Sequence, residues 1–164
     1  MNFRPATPFD LSAILDINLR SIFETCSSHY PENVLRQWIG NRSEENFEKS
    51  LSSNQLFVVE DEKRITGFLD VIPGEILAVY VYPEEERKGY GTKLLIEGIE
   101  RAKQKDVNVI VFASLNAVGF YAKHGFEAVE QVMHHRNGVD LTLTKMTRIS
   151  NKTLGAIRFT HAPA

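Results

Sequence analysis

The chain has 164 residues, 43% of them hydrophobic and 24% charged, which suits one domain with a real core and excludes a disordered chain. Its 19 lysines and arginines against 21 aspartates and glutamates leave a net charge of −2, so no broad basic field for nucleic acid is expected. The one cysteine, Cys26, allows neither an internal disulfide nor a multi-cysteine zinc site, and the longest apolar run, Ile76 to Tyr82, is too short to span a membrane. Polar and charged residues follow Met1 at once, without a signal-peptide pattern. The expectation is a reduced, cytoplasmic protein that binds neither nucleic acid nor membrane.

Thr7-Pro8-Phe9-Asp10 predicts a helix start, with an N-cap threonine, a proline at the first helical position and an acid at the third. Leu11, Ile14, Leu15, Leu19, Ile22 and Phe23 then form one apolar stripe, and Tyr30-Pro31 ends the helix. Two short helices are expected from Pro31 to Ile39 and from Ser43 to Leu51. Strands follow over Gln55 to Glu60, Ile65 to Ile72 and Glu75 to Tyr82, separated by turns at Asp61-Glu62-Lys63 and Pro73-Gly74. Tyr90 to Lys105 reads as a helix, Val107 to Ala113 as a strand and Ala117 to His124 as a short helix stopped by Gly125. Val129 to His135 and Val139 to Lys145 form a hairpin across Asn137-Gly138. The fold class is α/β in the α+β sense, with a mixed, largely antiparallel sheet flanked by helices.

The stretch from Val79 to Thr92 is the most informative. A strand ends at Pro83, a polar loop follows, and Gly89 and Gly91 open a helix. Glycines let the backbone approach a ligand, and the first N–H groups of a helix have no internal partner. A phosphate or pyrophosphate fits there, with Arg87 and Lys88 as cations and Thr92 as a hydroxyl donor. The spacing is neither that of the nucleotide P-loop nor that of the dinucleotide fingerprint. Taken alone, the segment also fits a plain strand–turn–helix.

One strand later comes Asn116-Ala117-Val118-Gly119-Phe120-Tyr121-Ala122-Lys123-His124-Gly125-Phe126. The two segments in this order resemble the GNAT superfamily of N-acetyltransferases. Val81, Pro83, Gly89 and Gly91 match that family's acetyl-coenzyme A loop, and Asn116, Ala117, Phe120, Tyr121, Gly125 and Phe126 match its second element. The opening Phe3-Arg4-Pro5-Ala6-Thr7, with Asp10, Leu11 and Ile14, is similar to the family's first strand and helix. The resemblance covers residues 2–146 and takes 1–146 as the domain, with 147–164 as an extension. One position departs: the family's Gln/Arg falls on Glu86, so Glu86 is expected to turn away or pair with Arg87 or Lys88 while Arg87 supplies the cation.

The resemblance implies an acetyl-coenzyme A-dependent N-acetyltransferase acting on a primary amine, with a small molecule favoured over a protein as acceptor. It implies that Arg87, Lys88, Gly89, Tyr90, Gly91 and Thr92 hold the cofactor. It further implies that a backbone N–H on Val79–Val81 polarises the thioester carbonyl, and that this strand splays from the next to admit the cofactor arm. Tyr121 becomes the general acid for the departing thiolate, the alternative being half of a packed Phe-Tyr pair. Asn116 caps its helix and bonds the cofactor arm.

The general base is not legible. Asp70, Glu75, His134 and His135 are candidates, and each also reads as an ordinary polar residue. The acceptor pocket is expected from residues 24–42, with Tyr30 and Trp38 cradling an apolar or aromatic amine, although Trp38 also suits the core. Glu84, Glu85 and Glu86 read as a solvated run or as an attraction for a cationic amine. Cys26 reads as a small buried residue, and the histidines have no metal-ligand spacing. The tail from Thr147 could pack on the domain, mediate a homodimer or remain disordered.

Overall fold

A computed structural model describes residues 1–105, 107–136 and 138–149. Strand β1 (Asn2–Pro5) leads through a 3₁₀ turn (Pro8–Asp10) into α1 (Leu11–Arg20). The helix continues as a π-helical turn (Ser21–Thr25) and a 3₁₀ turn (Cys26–Ser28). Helices α2 (Glu32–Ile39) and α3 (Glu45–Ser52) follow, then strands β2 (Leu56–Asp61), β3 (Arg64–Ile72) and β4 (Glu75–Val81). After α4 (Tyr90–Ala102) come β5 (Val109–Ser114), α5 (Val118–Lys123), β6 (Glu127–Arg136) and β7 (Val139–Arg148).

The start of α1 is secured as its sequence suggests. The Asp10 carboxylate accepts from the Thr7 backbone N–H at 2.7 Å and from Arg4 at 2.7 and 3.1 Å. Burial pushes the Asp10 carboxyl up, but Arg4 and Thr7 outweigh it and hold the group below its usual range.

All seven strands form one sheet in the order β1-β2-β3-β4-β5-β7-β6. Every neighbouring pair is antiparallel except β4 and β5, which run parallel. Alternation along the strands feeds two faces. Leu69 and Val71 pack with Leu94, Leu95 and Ile99 of α4, whereas Phe68 and Val58 pack with Ile14 and Ile17 of α1 and Phe47 of α3. Each such side chain contributes about 1.5–3 kcal/mol on burial. A third cluster joins Ile22, Tyr30, Leu35 and Trp38 to Val139, Leu141 and Leu143 of β7. Gly67 lets α4 press on the sheet, since a Cβ there would lie 2.7 Å from the Tyr80 carbonyl and 2.9 Å from Leu94.

Several boundaries differ from expectation. Helix α4 stops at Ala102, before Lys105, because the Ala102 carbonyl accepts from Gly74 N–H at 2.7 Å and Lys103 turns out of the helix. Strands β6 and β7 are longer than their apolar pattern, and β7 runs past Met146 to Arg148 because Thr147 and Arg148 pair with β5. The hairpin closes with Arg136 opposite Val139. Asn137 lies outside the described residues, as does the extension from Ser150 to Ala164.

Candidate functional site

The site begins with a failure of pairing. Strands β4 and β5 pair only at Glu75↔Ile110 and Ile76↔Val111. Beyond those pairs β4 continues to Val81 and β5 to Ser114 without bridging. A register shift sits at the same place: Val71 faces Ile76 while Asp70 faces Ala78, which leaves Leu77 as the extra residue of a bulge in β4. A bulge bends its strand, and here it coincides with the point where β4 leaves β5.

Two cavities adjoin this opening. The first measures about 510 Å³. Its walls come from Val79, Tyr80 and Val81 of β4, Arg87 and Gly91 of the following loop and helix, and Asn116, Phe120, Tyr121 and Lys123 around α5. Ser21, Thr25 and Cys26 close it from the π-helical turn and the turn after it. Ser21 donates to the Val81 carbonyl at 2.7 Å and so ties that turn to β4.

The loop between β4 and α4 joins a left-handed turn to an uncapped helix start. Arg87 has φ +62° and Gly89 φ +90°, both left-handed. A non-glycine residue in that region costs about 1–2 kcal/mol, and such strain gathers at functional loops. No side chain caps α4, and its first helical bond is Lys93 N–H to the Gly89 carbonyl at 3.0 Å. The N–H groups of Tyr90, Gly91 and Thr92 are therefore open at the positive end of the helix dipole.

The acids of this loop are occupied. Glu84 takes Arg20 at 2.8 Å and Arg64 at 3.1 Å, and Arg20 with Arg64 holds the Glu84 carboxyl down to about 2. Glu85 takes Lys88 at 2.9 Å and Arg64 at 3.4 Å. Glu86 accepts from the Thr25 hydroxyl at 3.1 Å rather than pairing with Arg87 or Lys88. This leaves Arg87 and Lys123 as cations that line the cavity with no ion pair among the described residues.

Of the expected cofactor residues, Val79, Val81, Arg87, Gly91 and Asn116 line this cavity. Gly89 sets the turn, and the Lys88 side chain goes to Glu85. The Tyr90 ring is buried and its hydroxyl donates to Asp61 at 2.8 Å, so only its backbone faces the loop. The side chain of Thr92 is not among the lining groups.

Asn116 Oδ1 is buried without a hydrogen-bond partner. Tyr121 is 5% exposed, packs edge-on against Phe120 and Phe126, and reaches the cavity. Burial pushes its hydroxyl above the ordinary phenol range, so it stays protonated. Burial likewise pushes Tyr80 up to about 12 and the Cys26 thiol up to about 11, which leaves Cys26 un-ionised at neutral pH.

The second cavity measures about 270 Å³. It shares Leu77, Ala78, Tyr80, Phe112 and Ser114 with the first, so the two meet across the opening between β4 and β5. Its remaining walls come from the opposite face: Asn18 of α1, Trp38 of α2, Arg42, Asn46 and Phe47 near α3, Asp70 of β3, Glu75 of β4 and Arg136 of β6. Trp38 reaches it at 2% exposure while packing edge-on to Tyr30. Tyr30 lines neither cavity: its hydroxyl donates to the Thr142 carbonyl at 2.7 Å and accepts from Leu115 N–H at 3.0 Å.

Asp70 and Glu75 both line this cavity, whereas His134 lies tilted against the Phe112 ring and His135 bonds Asp140 on the exposed hairpin. The sequence reading missed Ser21, Thr25, Tyr80, Arg42 and Arg136. The first two lie on a helix whose turn toward the cavity no residue announces. Among the described residues no group of three His, Cys, Asp or Glu is placed to hold a metal. Among the described residues no helix is long and apolar enough to cross a membrane.

The split parallel strand pair, the open helix terminus and the buried tyrosine define an acyl-transferring enzyme of the GNAT type. The family described as Acetyltransferase (GNAT) domain matches residues 26–148, and the chain belongs to it. An uncharacterized N-acetyltransferase of Escherichia coli (strain K12), YafP, is 27% identical over 131 residues, covering 80% of this chain and 84% of that protein. Among solved structures, a GCN5-related N-acetyltransferase from Rhodopseudomonas palustris superposes with a TM-score of 0.85 at 27% identity, covering 91% of this chain and 95% of that one. The PaiA N-acetyltransferase of Thermoplasma acidophilum, solved with coenzyme A, gives 0.72 at 23% identity over 91% of this chain and 98% of that one.

Proposed function

We propose that this enzyme transfers the acetyl group of acetyl-coenzyme A to the primary amine of a small molecule. One observation carries the reading: two cavities lined from opposite faces of the sheet meet at the opening between β4 and β5. Such a meeting point lets two reactants approach each other while the protein surrounds both. The modest size of the second cavity, about 270 Å³, supports a small acceptor.

The first cavity fits a nucleotide thioester. The open N–H groups of Tyr90, Gly91 and Thr92 suit a pyrophosphate, with Arg87 and Lys123 as nearby cations that have no ion pair among the described residues. Asn116 Oδ1, buried and unpartnered, suits an amide N–H of the pantetheine arm. Thr25 holds Glu86 and reduces its conflict with the phosphates. Acetyl-coenzyme A supplies an activated acyl group as a thioester.

The chain's part is to position and to handle protons. Unpaired backbone of β4 between Leu77 and Val81 is available to polarise the acyl carbonyl. Tyr121 holds its proton at Oη and donates it to the departing sulfur, which has an ordinary thiol pKa near 8.5 and needs a donor rather than a strong acid. Asp70 and Glu75 are the carboxylates near the acceptor side. The single buried Cys26 suits a reducing compartment, and we place the reaction in the cytoplasm.

Thermal melting with acetyl-coenzyme A, coenzyme A and ATP tests the cofactor, since a ligand at 100 times its dissociation constant stabilises by about 2.7 kcal/mol. Both coenzyme A forms should raise the melting temperature more than ATP does. Thiol release with an amine panel then tests transfer. Cofactor binding without thiol release from any amine would instead indicate a sensing module.

A further inference from the structure

The second cavity is not lined as a site for a simple alkylamine. Two cations, Arg42 and Arg136, and two acids, Asp70 and Glu75, border it, and none of the four is ion-paired among the described residues. Two of them also carry unsatisfied buried atoms: Arg42 Nε and Asp70 Oδ1 have no hydrogen-bond partner, and neither does Asn18 Oδ1 on the same wall. The other Asp70 oxygen accepts from Ser50 at 2.7 Å, which fixes the carboxyl. Asp70 is 9% exposed and Asn18 2% exposed. Leaving such groups unsatisfied is costly, more so when charged, and a ligand of matching polarity offsets that cost.

The charges differ in kind. Arg42 lies over the Phe47 ring, 5.8 Å from its centroid, which holds the guanidinium beside the cavity. A guanidinium edge matches a carboxylate or phosphate, not an amine. Asp70 and Asn18 offer oxygens, which match an ammonium or amine. In the sheet register Asp70 faces Ala78, one of the residues shared by both cavities, so the acidic side adjoins the transfer point.

We propose that the acceptor is an amine that also carries an anionic group, a carboxylate or a phosphate ester, with Arg42 and Arg136 holding the anion and Asp70, Glu75 and Asn18 receiving the amine. This rests on the acetyl-transfer reading above. The neutral amine nitrogen attacks the acyl carbon, forms the N–C bond and gives one proton to Asp70 or water; the C–S bond breaks with its electron pair on sulfur, which takes the Tyr121 proton, and Tyr121 recovers a proton from solvent as the amine's proton is released there. The products are an N-acetylated, still anionic compound and a thiol.

The test compares kcat/KM for β-alanine, O-phosphoethanolamine, β-alaninamide, propylamine and spermidine. The anionic pair should exceed the other three by about tenfold to a hundredfold, the range of a charged hydrogen bond. The better of the two identifies the anion. Arg42→Gln should abolish the preference through KM while acetyl-coenzyme A affinity is retained, and Arg136→Gln, at an exposed position, should weaken it if Arg42→Gln does not fold. Propylamine or spermidine matching the anionic amines, or a preference unchanged in both variants, would overturn the proposal. If no amine is acetylated, melting with each compound alone decides: stabilisation by the anionic amines, lost in the arginine variants, supports it, and no selective stabilisation overturns it. Failure to bind acetyl-coenzyme A would sink the transfer reading by a separate measurement.

Discussion

The helix-terminus part of the first cavity is built from local chain geometry, and the second cavity from side chains brought together across the whole molecule. On the first side the anion-binding part is one continuous stretch, from the end of β4 through Arg87 and Gly89 to the open start of α4. On the second side Asn18, Arg42, the β3–β4 hairpin with Asp70 and Glu75, and Arg136 come from four separate parts of the chain. Backbone N–H groups recognise what phosphates have in common, so that side suits a cofactor shared by a family. Side chains from separate elements change one at a time, so that side suits an individual acceptor.

The largest expected effect separates chemistry from binding. Tyr121→Phe should lower kcat by about a hundredfold to ten-thousandfold, the range for general acid–base catalysis, with cofactor affinity little changed. Pre-steady-state thiol release beside calorimetry would reveal it, and unaltered turnover would remove Tyr121 from the proton path.

Gly89→Val should strike the first cavity alone. Its φ of +90° is strained for a branched side chain, at a cost of about 1–3 kcal/mol, or roughly tenfold to a hundredfold in cofactor affinity if the loop shifts. An intact dissociation constant for coenzyme A would show that the left-handed turn is not needed for binding.

Tyr30→Phe tests whether a residue read as substrate-binding is structural. It leaves Leu115 N–H and the Thr142 carbonyl without their shared hydroxyl, a loss of about 1–3 kcal/mol seen as a lower melting temperature. KM for the amine should stay the same, and a raised KM would return Tyr30 to the acceptor site.

Glu86→Gln should produce a smaller gain, a few-fold tighter cofactor binding, because it removes one like charge near phosphates in a solvent-screened loop. Thr25→Val should move affinity the other way by freeing that carboxylate.

The smallest effect concerns pH. Burial raises the Asp70 carboxyl above its ordinary value. The native state therefore binds its proton more tightly than the unfolded chain does. The associated stability is fully present below the unfolded pKa, about 3.9, and is lost as the pH rises through the folded value. Asp70→Asn should accordingly melt higher than the wild type near neutrality and level with it in acid, whereas a uniform offset would point to packing instead.

The elements were legible because their signals are local. The Thr7–Asp10 box, the apolar stripe of α1, the two glycines before α4 and the hairpin before Val139 each depend on a few adjacent residues. Arg87 and Gly91 were marked by the glycine-rich helix start, whereas Val79, Val81, Asn116 and Tyr121, which line the same cavity, were singled out through the family resemblance. Glu86 was legible as a conflict but not its resolution, since Thr25 is far away in sequence. The bulge at Leu77 leaves no mark in an apolar strand, yet it coincides with the parting of β4 from β5. The polar lining of the second cavity was equally hidden: residues 24–42 suggested an aromatic cradle, but Tyr30 and much of Trp38 went into the cluster against β7.

The sequence by itself determined the elements, their order and the left-handed turn before α4, because propensity, capping and glycine freedom act within a few residues. Only the tertiary structure decided where β4 and β5 part, which acids are neutralised and which charges face the second cavity. Those outcomes depend on distances between residues far apart in the chain, which are set when both faces of the sheet are packed.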